Sequence, residues 1–528
     1  MENHQAQQSY FRSQQTRIIP RIAHVWTTLT TVKINALNKK CKTLPVFTLN
    51  NQYSRNFHLS WLGFWVAFLS WFAFSPLIPE AVKSDLKLTS AQIGNSNVIS
   101  LCATLIVRII VGPLVDKYGP RKVMAGLLFI GAVPSGLVGT ITTANGLYII
   151  RFFIGILGGT FVPCQAWTTS FFDKNVVGTA NALVGGWGNS GGGFTFIIMI
   201  ALYNRLVRDI SSHIAWRVSF VIVPVPILLL VAMVTLVFGT DHPNGKWEDR
   251  FKIPASDFRT LSPSNSVSHV PLEEKDKHTQ IFVSDKEAAH SKRDDTTPEG
   301  EQKLELEEGI VESALDVAIN RPLSVQIAFS IIFNPLTWLP ALAYMTTFGY
   351  ELAIDANLAN VLFGLYKSAS FGQTKAGYIA GIYGLLNICT RPLGGLFGDI
   401  VYKRFGVPGK KYLTLSLGII QGCLSLGLGF YVDSKEHPSL AIVIVLFTIT
   451  AIFNEAGNGA NFSLVPHCNP NSNGLMSGLV GAMGNLGGII FALIFRFQPV
   501  PLGKAFWISG ILSIGVNVLL ALIPVPQR

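Results

Sequence analysis

An arginine, a glycine and an aspartate recur at one spacing in two distant parts of the chain: Arg108, Gly112 and Asp116, then Arg391, Gly395 and Asp399, displaced by 283 positions. Residues at i, i+4 and i+8 share one face of a helix, so each copy presents a guanidinium, a close-packing glycine and a helix-end carboxylate in a single column. Both arginines stand in apolar stretches long enough to cross a bilayer, eight residues before the aspartate that ends the stretch. At about 1.5 Å per residue each lies roughly 12 Å from that end, near mid-membrane. A lone arginine at such depth costs about 2.5–3.5 kcal/mol on insertion scales, so it must face the protein interior and find a partner.

That partner is either a carboxylate or a bound anion. Few acids stand inside the apolar stretches: Glu455 is the one placed well inside, while Glu80, Asp116 and Asp399 fall at the ends. Two guanidinium groups facing at most one acid leave a positive site whose missing charge an anion would supply. A planar, singly charged oxyanion suits the plane of the guanidinium fork. Sulfate or phosphate would be held by the same groups, and charge alone does not separate them.

A second repeat accompanies the first. The run Gly185-Gly186-Trp187-Gly188-Asn189-Ser190-Gly191-Gly192-Gly193 returns as Gly481-Ala482-Met483-Gly484-Asn485-Leu486-Gly487-Gly488, displaced by 296 positions. Matching glycine-rich interruptions in the two halves of a membrane carrier point to its binding site, because small residues let backbones approach each other and a ligand. The alternative, that the glycines only pack helices, leaves the paired asparagines unexplained.

These columns need long membrane helices to carry them, and the composition supplies them. Of 528 residues 49% are hydrophobic and 13% charged, against roughly 25% charged in soluble domains. Apolar blocks of about 20 residues, enough for ~30 Å of hydrocarbon, are expected near 58–80, 92–115, 122–144, 147–171, 177–203 and 216–239, and near 325–353, 374–399, 411–431, 439–464, 474–497 and 504–524. The fold class is therefore an all-α membrane protein of twelve spans in two related bundles of six, 58–239 and 323–524. The stretch 323–370 is the least sharply bounded, since its apolar pattern runs on through Asp355 to Tyr366.

An even number of spans puts both termini on one side. The basic segment 1–57 and the loop residues Lys117, Arg121, Lys122, Lys403, Arg404, Lys410 and Lys411 mark that side as cytoplasmic. Arg205, Arg208 and Arg217 oppose the rule. The tail has no apolar core of signal-peptide type, so the first span is expected to serve as its own insertion signal. Residues 240–322 turn polar and acidic, with Glu299, Glu301, Glu305, Glu307 and Glu308, and read as a largely disordered cytoplasmic linker, with a helix near 301–316. Its Ser and Thr residues would be open to a kinase. Residues 525–528 form a short cytoplasmic end.

Several classes fall away. The net charge of +11 comes from tails and loops without an aromatic-interleaved basic patch, which argues against nucleic acid. Cys41, Cys102, Cys164, Cys389, Cys423 and Cys468 show neither metal-ligand spacing nor a disulfide framework and read as packing residues. With no nucleophile–base constellation and no phosphate-binding loop, the chain reads as neither an enzyme nor a holder of a metal or cofactor.

The loop Gly112-Pro113-Leu114-Val115-Asp116-Lys117-Tyr118-Gly119-Pro120-Arg121-Lys122 resembles the signature between spans 2 and 3 of the major facilitator superfamily. The segments Gly185–Gly193 and Gly481–Gly488 resemble the two signature motifs of its nitrate/nitrite porter family, and the long linker is similar to that of the fungal, yeast-type high-affinity nitrate transporters. The resemblance implies a major facilitator fold and a plasma-membrane carrier of nitrate and nitrite, serving nitrate assimilation by alternating access. It implies that Arg108 and Arg391 hold the anion between the halves and that Phe161, Tyr344 and Phe348 flank the flat ion. It also implies that Asn189 and Asn485 act as supporting donors. Eukaryotic members are generally proton symporters and some bacterial ones exchange nitrate for nitrite, so coupling stays open. Glu455 is the candidate proton carrier, its alternative being a structural ion pair. Gly112, Asp116, Arg121, Gly395 and Asp399 belong to the fold and gating motif, the aspartates latching neighbouring helices.

Two rival readings stand beside transport of nitrate: a nitrate sensor signalling through the linker, and a facilitator of an organic anion or sugar. Replacing Arg108 or Arg391 with lysine is expected to weaken nitrate binding severely, because an ammonium does not reproduce the bidentate fork. Near-normal affinity in both lysine variants, measured by displacement of labelled nitrate, would defeat the assignment.

Overall fold

Each expected span meets a helix in the computed structural model, which describes residues 27–35, 39–248, 324–468 and 473–525. In the first half these are α1 (Gln52–Trp71), α2 (Ser90–Tyr118), α3 (Pro120–Gly136) and α4 (Ala144–Phe171), then α5 (174–206, interrupted at Ser190) and α6 (Ser212–Phe238). In the second half α7 (Pro335–Tyr366) follows a short helix, Val325–Ile332, at a 62° bend. One helical run, Gln373–Asp433, breaks at Gly406 into α8 (373–405) and α9 (407–433). The chain then forms α10 (Leu440–Cys468), α11 (Asn473–Phe497) and α12 (Lys504–Leu520).

The ends of these helices follow from local chemistry. Thr89 and Gln92 form a reciprocal cap on α2, satisfying two N–H groups that the first turn leaves without partners. The helix stops at Gly119, whose φ of 89° only glycine adopts at little cost, and Pro120 opens α3. Gly406, with φ 65°, makes the corresponding break between α8 and α9.

Several boundaries differ from expectation: helix α1 ends at Trp71 instead of 80, and α3 at Gly136 instead of 144. Helix α1 begins at Gln52 instead of 58, capped by the Asn51 side chain. Helix α7 continues to Tyr366 instead of ending near 353, so Asp355 lies within it. Of the linker, 240–248 is described and docked, with Asp241 and Trp247 buried. Residues 249–323, including the helix expected at 301–316, lie outside the described residues, as do 1–26 and 526–528. Among the cysteines, Cys41, Cys164 and Cys468 are buried, but Cys389 and Cys423 are exposed and so are not the packing residues expected.

Polarity is inverted relative to a soluble bundle. Helix α2 buries Ser96, Asn97, Ser100, Thr104 and Arg108, and turns Ile106, Ile109 and Ile110 outward. Lipid accepts the apolar face, and the polar face is driven into the protein. Among the described residues seven helices, or eight with the bent pair before and in α7, are long and apolar enough to cross a membrane by length and composition. The remainder are α12, of 17 residues, and α1, α5 and α8, where glycine, asparagine and arginine take positions that lipid-facing helices give to leucine and isoleucine.

The two sequence repeats meet in space. The α2 column Arg108, Gly112, Asp116 packs on Gly481, Gly478 and Gly474 of α11, while the α8 column Arg391, Gly395, Asp399 packs on Gly185, Ala182 and Gly178 of α5. Each α5 position and its α11 counterpart differ by 296, the displacement of the asparagine pair. Each half thus seats its glycine face on the arginine column of the other half. A Cβ at Gly112 would stand 3.0 Å from the Gly474 carbonyl, and one at Gly478 3.0 Å from the Arg108 carbonyl.

The halves touch at both ends. At the end carrying Asp399, its carboxylate accepts from the Thr179 N–H (2.9 Å) and hydroxyl (2.7 Å) of α5. At the opposite end the Gln373 side chain accepts from the Glu80 and Ala81 N–H groups at 2.7 and 3.0 Å, and the Asn97 amide donates to Asn357 at 3.4 Å.

A Cβ at Gly186 would collide with the Asn387 carbonyl of the other half, whereas Gly126 and Gly515 face open space. Gly186→Ala is expected to destabilise by about 1–3 kcal/mol through overpacking. Gly126→Ala should instead stabilise by about 0.5–1 kcal/mol through helix propensity. Thermal unfolding of the detergent-solubilised protein checks both signs.

Candidate functional site

Arg108 and Arg391 converge at the junction of the halves, 0% and 1% exposed. Arg108 donates through Nε to the Gly158 carbonyl at 2.8 Å and through Nη1 to the Gly481 carbonyl at 2.9 Å. Its Nη2 has no hydrogen-bond partner. Arg391 donates through Nη2 to the Tyr344 hydroxyl at 2.7 Å. Its Nη1 lies 3.8 Å from Glu351 Oε2 without forming a hydrogen bond. Each guanidinium therefore keeps a buried nitrogen with unused donor capacity, an arrangement that is costly unless a polar group meets it.

Three rings wall the same region. Tyr344 and Phe348, one turn apart on α7, are nearly parallel, with centroids 4.7 Å apart. Phe161 of α4 faces both across 6.0 and 6.1 Å. The Arg108 guanidinium carbon lies 4.8 Å from the Phe161 ring centroid and 5.1 Å from that of Phe348. That of Arg391 lies 5.6 Å from Phe348 and 5.9 Å from Tyr344. Ring faces are negative in quadrupole, so they hold two like charges in place without neutralising them. The glycine runs make room: a Cβ at Gly481 would press on Arg108 and Phe161, one at Gly484 on Tyr344 and Phe348, and one at Gly185 on Arg391.

The carboxylate inventory corrects the sequence reading. Glu455 is not the one acid inside the bundle: Glu351 and Asp355 of α7 are buried with it. Glu351 accepts from the amides of Asn189 (α5), Asn387 (α8, 2.9 Å) and Asn458 (α10, 2.7 Å). Glu455 accepts from Asn458 at 3.4 Å, and its Oε1 has no partner. Glu351 stands two residues inside the expected end of span 7, at 353, and is passed over there, while Asp355 lies beyond that end. A helix continued past 353 puts Tyr344, Phe348, Glu351 and Asp355 at i, i+4, i+7 and i+11, on one face.

The paired asparagines do different things. Asn189 spends its amide on Glu351 of the other half. Asn485 donates to the Gly481 carbonyl at 3.0 Å, the oxygen that Arg108 also uses, and thereby helps to fix that acceptor.

The motif aspartates sit away from the rings. Asp399 holds the start of α5 and receives Lys410 Nζ at 3.0 Å, and Asp116 lies against Gly474 at the start of α11. Arg121 reaches Asp241 at 3.2 Å and the carbonyls of Leu236 and Gly239 at the end of α6. Lys411 does the same for α12 through the carbonyls of Ala521 and Ile523, each cation meeting carbonyls that a helix terminus leaves unpaired. Beyond the span region, Asp85 is partly buried, which opposes its ionisation. Bonds from His213, Arg217 and Trp216 outweigh that and hold its carboxyl below the ordinary range, so the contrary charge of Arg217 is locally matched.

A buried arginine that the sequence reading passed over, Arg151 of α4, donates to Ser96 and Asn97 at 2.6 Å each.

The chain matches the Major Facilitator Superfamily over residues 60–492 and belongs to it; it is a multi-pass membrane transporter and not an enzyme. Within that class it is 31% identical to nitrate transporter 2.1 of Chlamydomonas reinhardtii, over 92% of this chain and 78% of that one. It is 31% identical to high affinity nitrate transporter 2.5 of Arabidopsis thaliana, over 92% and 83%. A solved structure of the proton:xylose symporter XylE bound to 6-bromo-6-deoxy-D-glucose superposes with a TM-score of 0.61, covering 90% of this chain and 96% of that one, at 14% identity, a likeness of fold.

Asp399 and Lys410 form a largely buried pair. Asp399→Ala should cost about 3–5 kcal/mol by stranding the ammonium. The double variant Asp399→Asn with Lys410→Met should lose less than the sum of its single changes, as a double-mutant cycle of unfolding free energies would read out.

Proposed function

We propose that this chain carries nitrate, and nitrite with it, across the plasma membrane by alternating access, as a proton symporter. The observation that supports this most is the pair of buried guanidinium groups, each with an unpartnered nitrogen, held among three aromatic rings with a single carboxylate in ion-pair range. A flat anion of one negative charge matches that arrangement in shape, charge and donor geometry. The names of the relatives point the same way.

On this reading Arg108, Arg391, Phe161, Tyr344 and Phe348 contact the anion. Asn485 keeps the Gly481 carbonyl in place, and Asn189 acts through Glu351. The Asp116 and Asp399 end, rich in lysine and arginine, faces the cytoplasm together with both termini. Contacts at both ends of the bundle close the site from either side, and transport opens one set while keeping the other. An anion between the two arginines screens their repulsion and favours closure. The bundles are 58–239 and 323–524, joined by a cytoplasmic linker open to kinases.

Purified protein in liposomes tests the proposal. Nitrate should accumulate when the outside is made acidic, and unlabelled nitrite should compete with it. Uptake indifferent to the pH gradient but dependent on internal nitrite would replace symport with exchange. No nitrate flux under any gradient would remove the anion assignment itself.

A further inference from the structure

Glu351 is enclosed in a way that a simple structural ion pair does not require. Three asparagines from three helices and both halves, Asn189, Asn387 and Asn458, donate to its two oxygens. The Oδ1 atom of each of these asparagines is buried without a partner. A side-chain amide has a donor and an acceptor at the two ends of one rotatable plane. The same cage therefore serves a carboxylate, by presenting N–H groups, and a carboxylic acid, by turning one amide so that its oxygen accepts the acid's O–H. A cage of lysine, arginine or backbone N–H groups would serve the ionised form alone.

The position of Glu351 gives this a consequence. Its Oε2 lies 3.8 Å from Arg391 Nη1, the nitrogen with unused donor capacity that faces the proposed anion site. The other charged or titratable groups around it are Arg108 from α2, Glu455 from α10, Tyr383 from α8, and Tyr344 and Asp355 from α7 itself. Helix α5 contributes the Asn189 amide. An ionised Glu351 and an arriving anion would be two negative charges competing for Arg391 at close range in a medium of low dielectric.

We propose that Glu351 is the proton-carrying carboxyl of the transporter, and that its protonation releases Arg391 to the anion. The inference rests on the anion reading of the site. A proton from the side opposite Asp399, passed by Asp355 one turn along α7, adds to a Glu351 oxygen and the ion pair to Arg391 is lost. The anion takes the place of the carboxylate, so the net charge of the site is unchanged. After reorientation the anion leaves, the proton follows, and Glu351 re-pairs with Arg391, which lets the empty carrier return. One proton moves with each anion through this carboxyl. Glu455, without an ion pair, bonds to Asn458 at 3.4 Å and to the Glu351 carboxyl itself, and so stands beside this exchange as a hydrogen-bond partner of the carrier.

The test uses the full chain in liposomes with nitrate as the probe. Wild type should bind nitrate at least tenfold more tightly at pH 5.5 than at pH 7.5. In Glu351→Gln the affinity should change less than twofold across that range. Accumulation driven by a pH gradient should be lost, while counterflow of labelled nitrate, which needs no net proton movement, remains measurable. Glu455→Gln should keep the pH dependence. Gradient-driven accumulation in Glu351→Gln, or an undiminished pH slope, overturns the proposal. Should Glu351→Gln fail to fold, Glu351→Asp carries the test: a displaced midpoint of the affinity–pH curve supports the assignment and an undisplaced one overturns it. Absence of nitrate flux in wild type would strike the anion reading, whereas normal wild-type flux with an unaltered Glu351→Gln strikes this inference alone.

Discussion

Two guanidinium groups held at the centre of a membrane protein set the terms for the rest of the structure. In this arrangement of the halves both are shut off from water and neither is neutralised by an ideal salt bridge, so each is met by carbonyls, ring faces and hydroxyls. Gly158 and Gly481 turn their carbonyl oxygens to Arg108, and Tyr344 turns its hydroxyl to Arg391. These acceptors come close only because the facing helix has no side chain at the crossing, which is why glycine runs stand opposite each arginine column. The rigidity of those crossings also limits motion: two glycine-faced seams can slide or part, but they cannot deform gradually.

The approximate twofold relation between the halves is strict where they pack and broken where the charge lies. Columns on α2 and α8 meet columns on α11 and α5 in one register. By contrast α7 buries Glu351 and Asp355, while α1, which holds the matching place in the first half, buries Phe64 and Phe68. Symmetry serves the rocking of two similar bodies about a shared site. The asymmetry supplies what a symmetric pair of arginines lacks, namely buried carboxyl groups beside the guanidinium pair.

Asparagine is the residue that joins these two features. Asn189 lies in the glycine run of the first half and bonds an acid of the second, so the seam between the halves and the ionisation of Glu351 are in contact. On the proposed mechanism a change in the carboxyl would act directly on the interface that opens, through this one hydrogen bond and no long pathway.

Twelve spans, two related halves, the buried arginines and the glycine seams are legible in the amino-acid sequence by itself. All rest on patterns with a fixed period or displacement, and helical geometry turns such patterns into faces without further information. Aromatic residues at 161, 344 and 348 are legible only through resemblance, since ring spacing across helices leaves no periodic trace. The net charge of the site is misjudged from sequence because Glu351 stands at an uncertain helix end and Asp355 beyond it, and because a charge balance is a sum over helices far apart in the chain. Which amide reaches which carboxylate, and that Asn189 and Asn485 serve different partners, are decided by tertiary packing alone. Hydrogen bonds between residues more than a hundred positions apart depend on how helices cross, and no local pattern records the crossing.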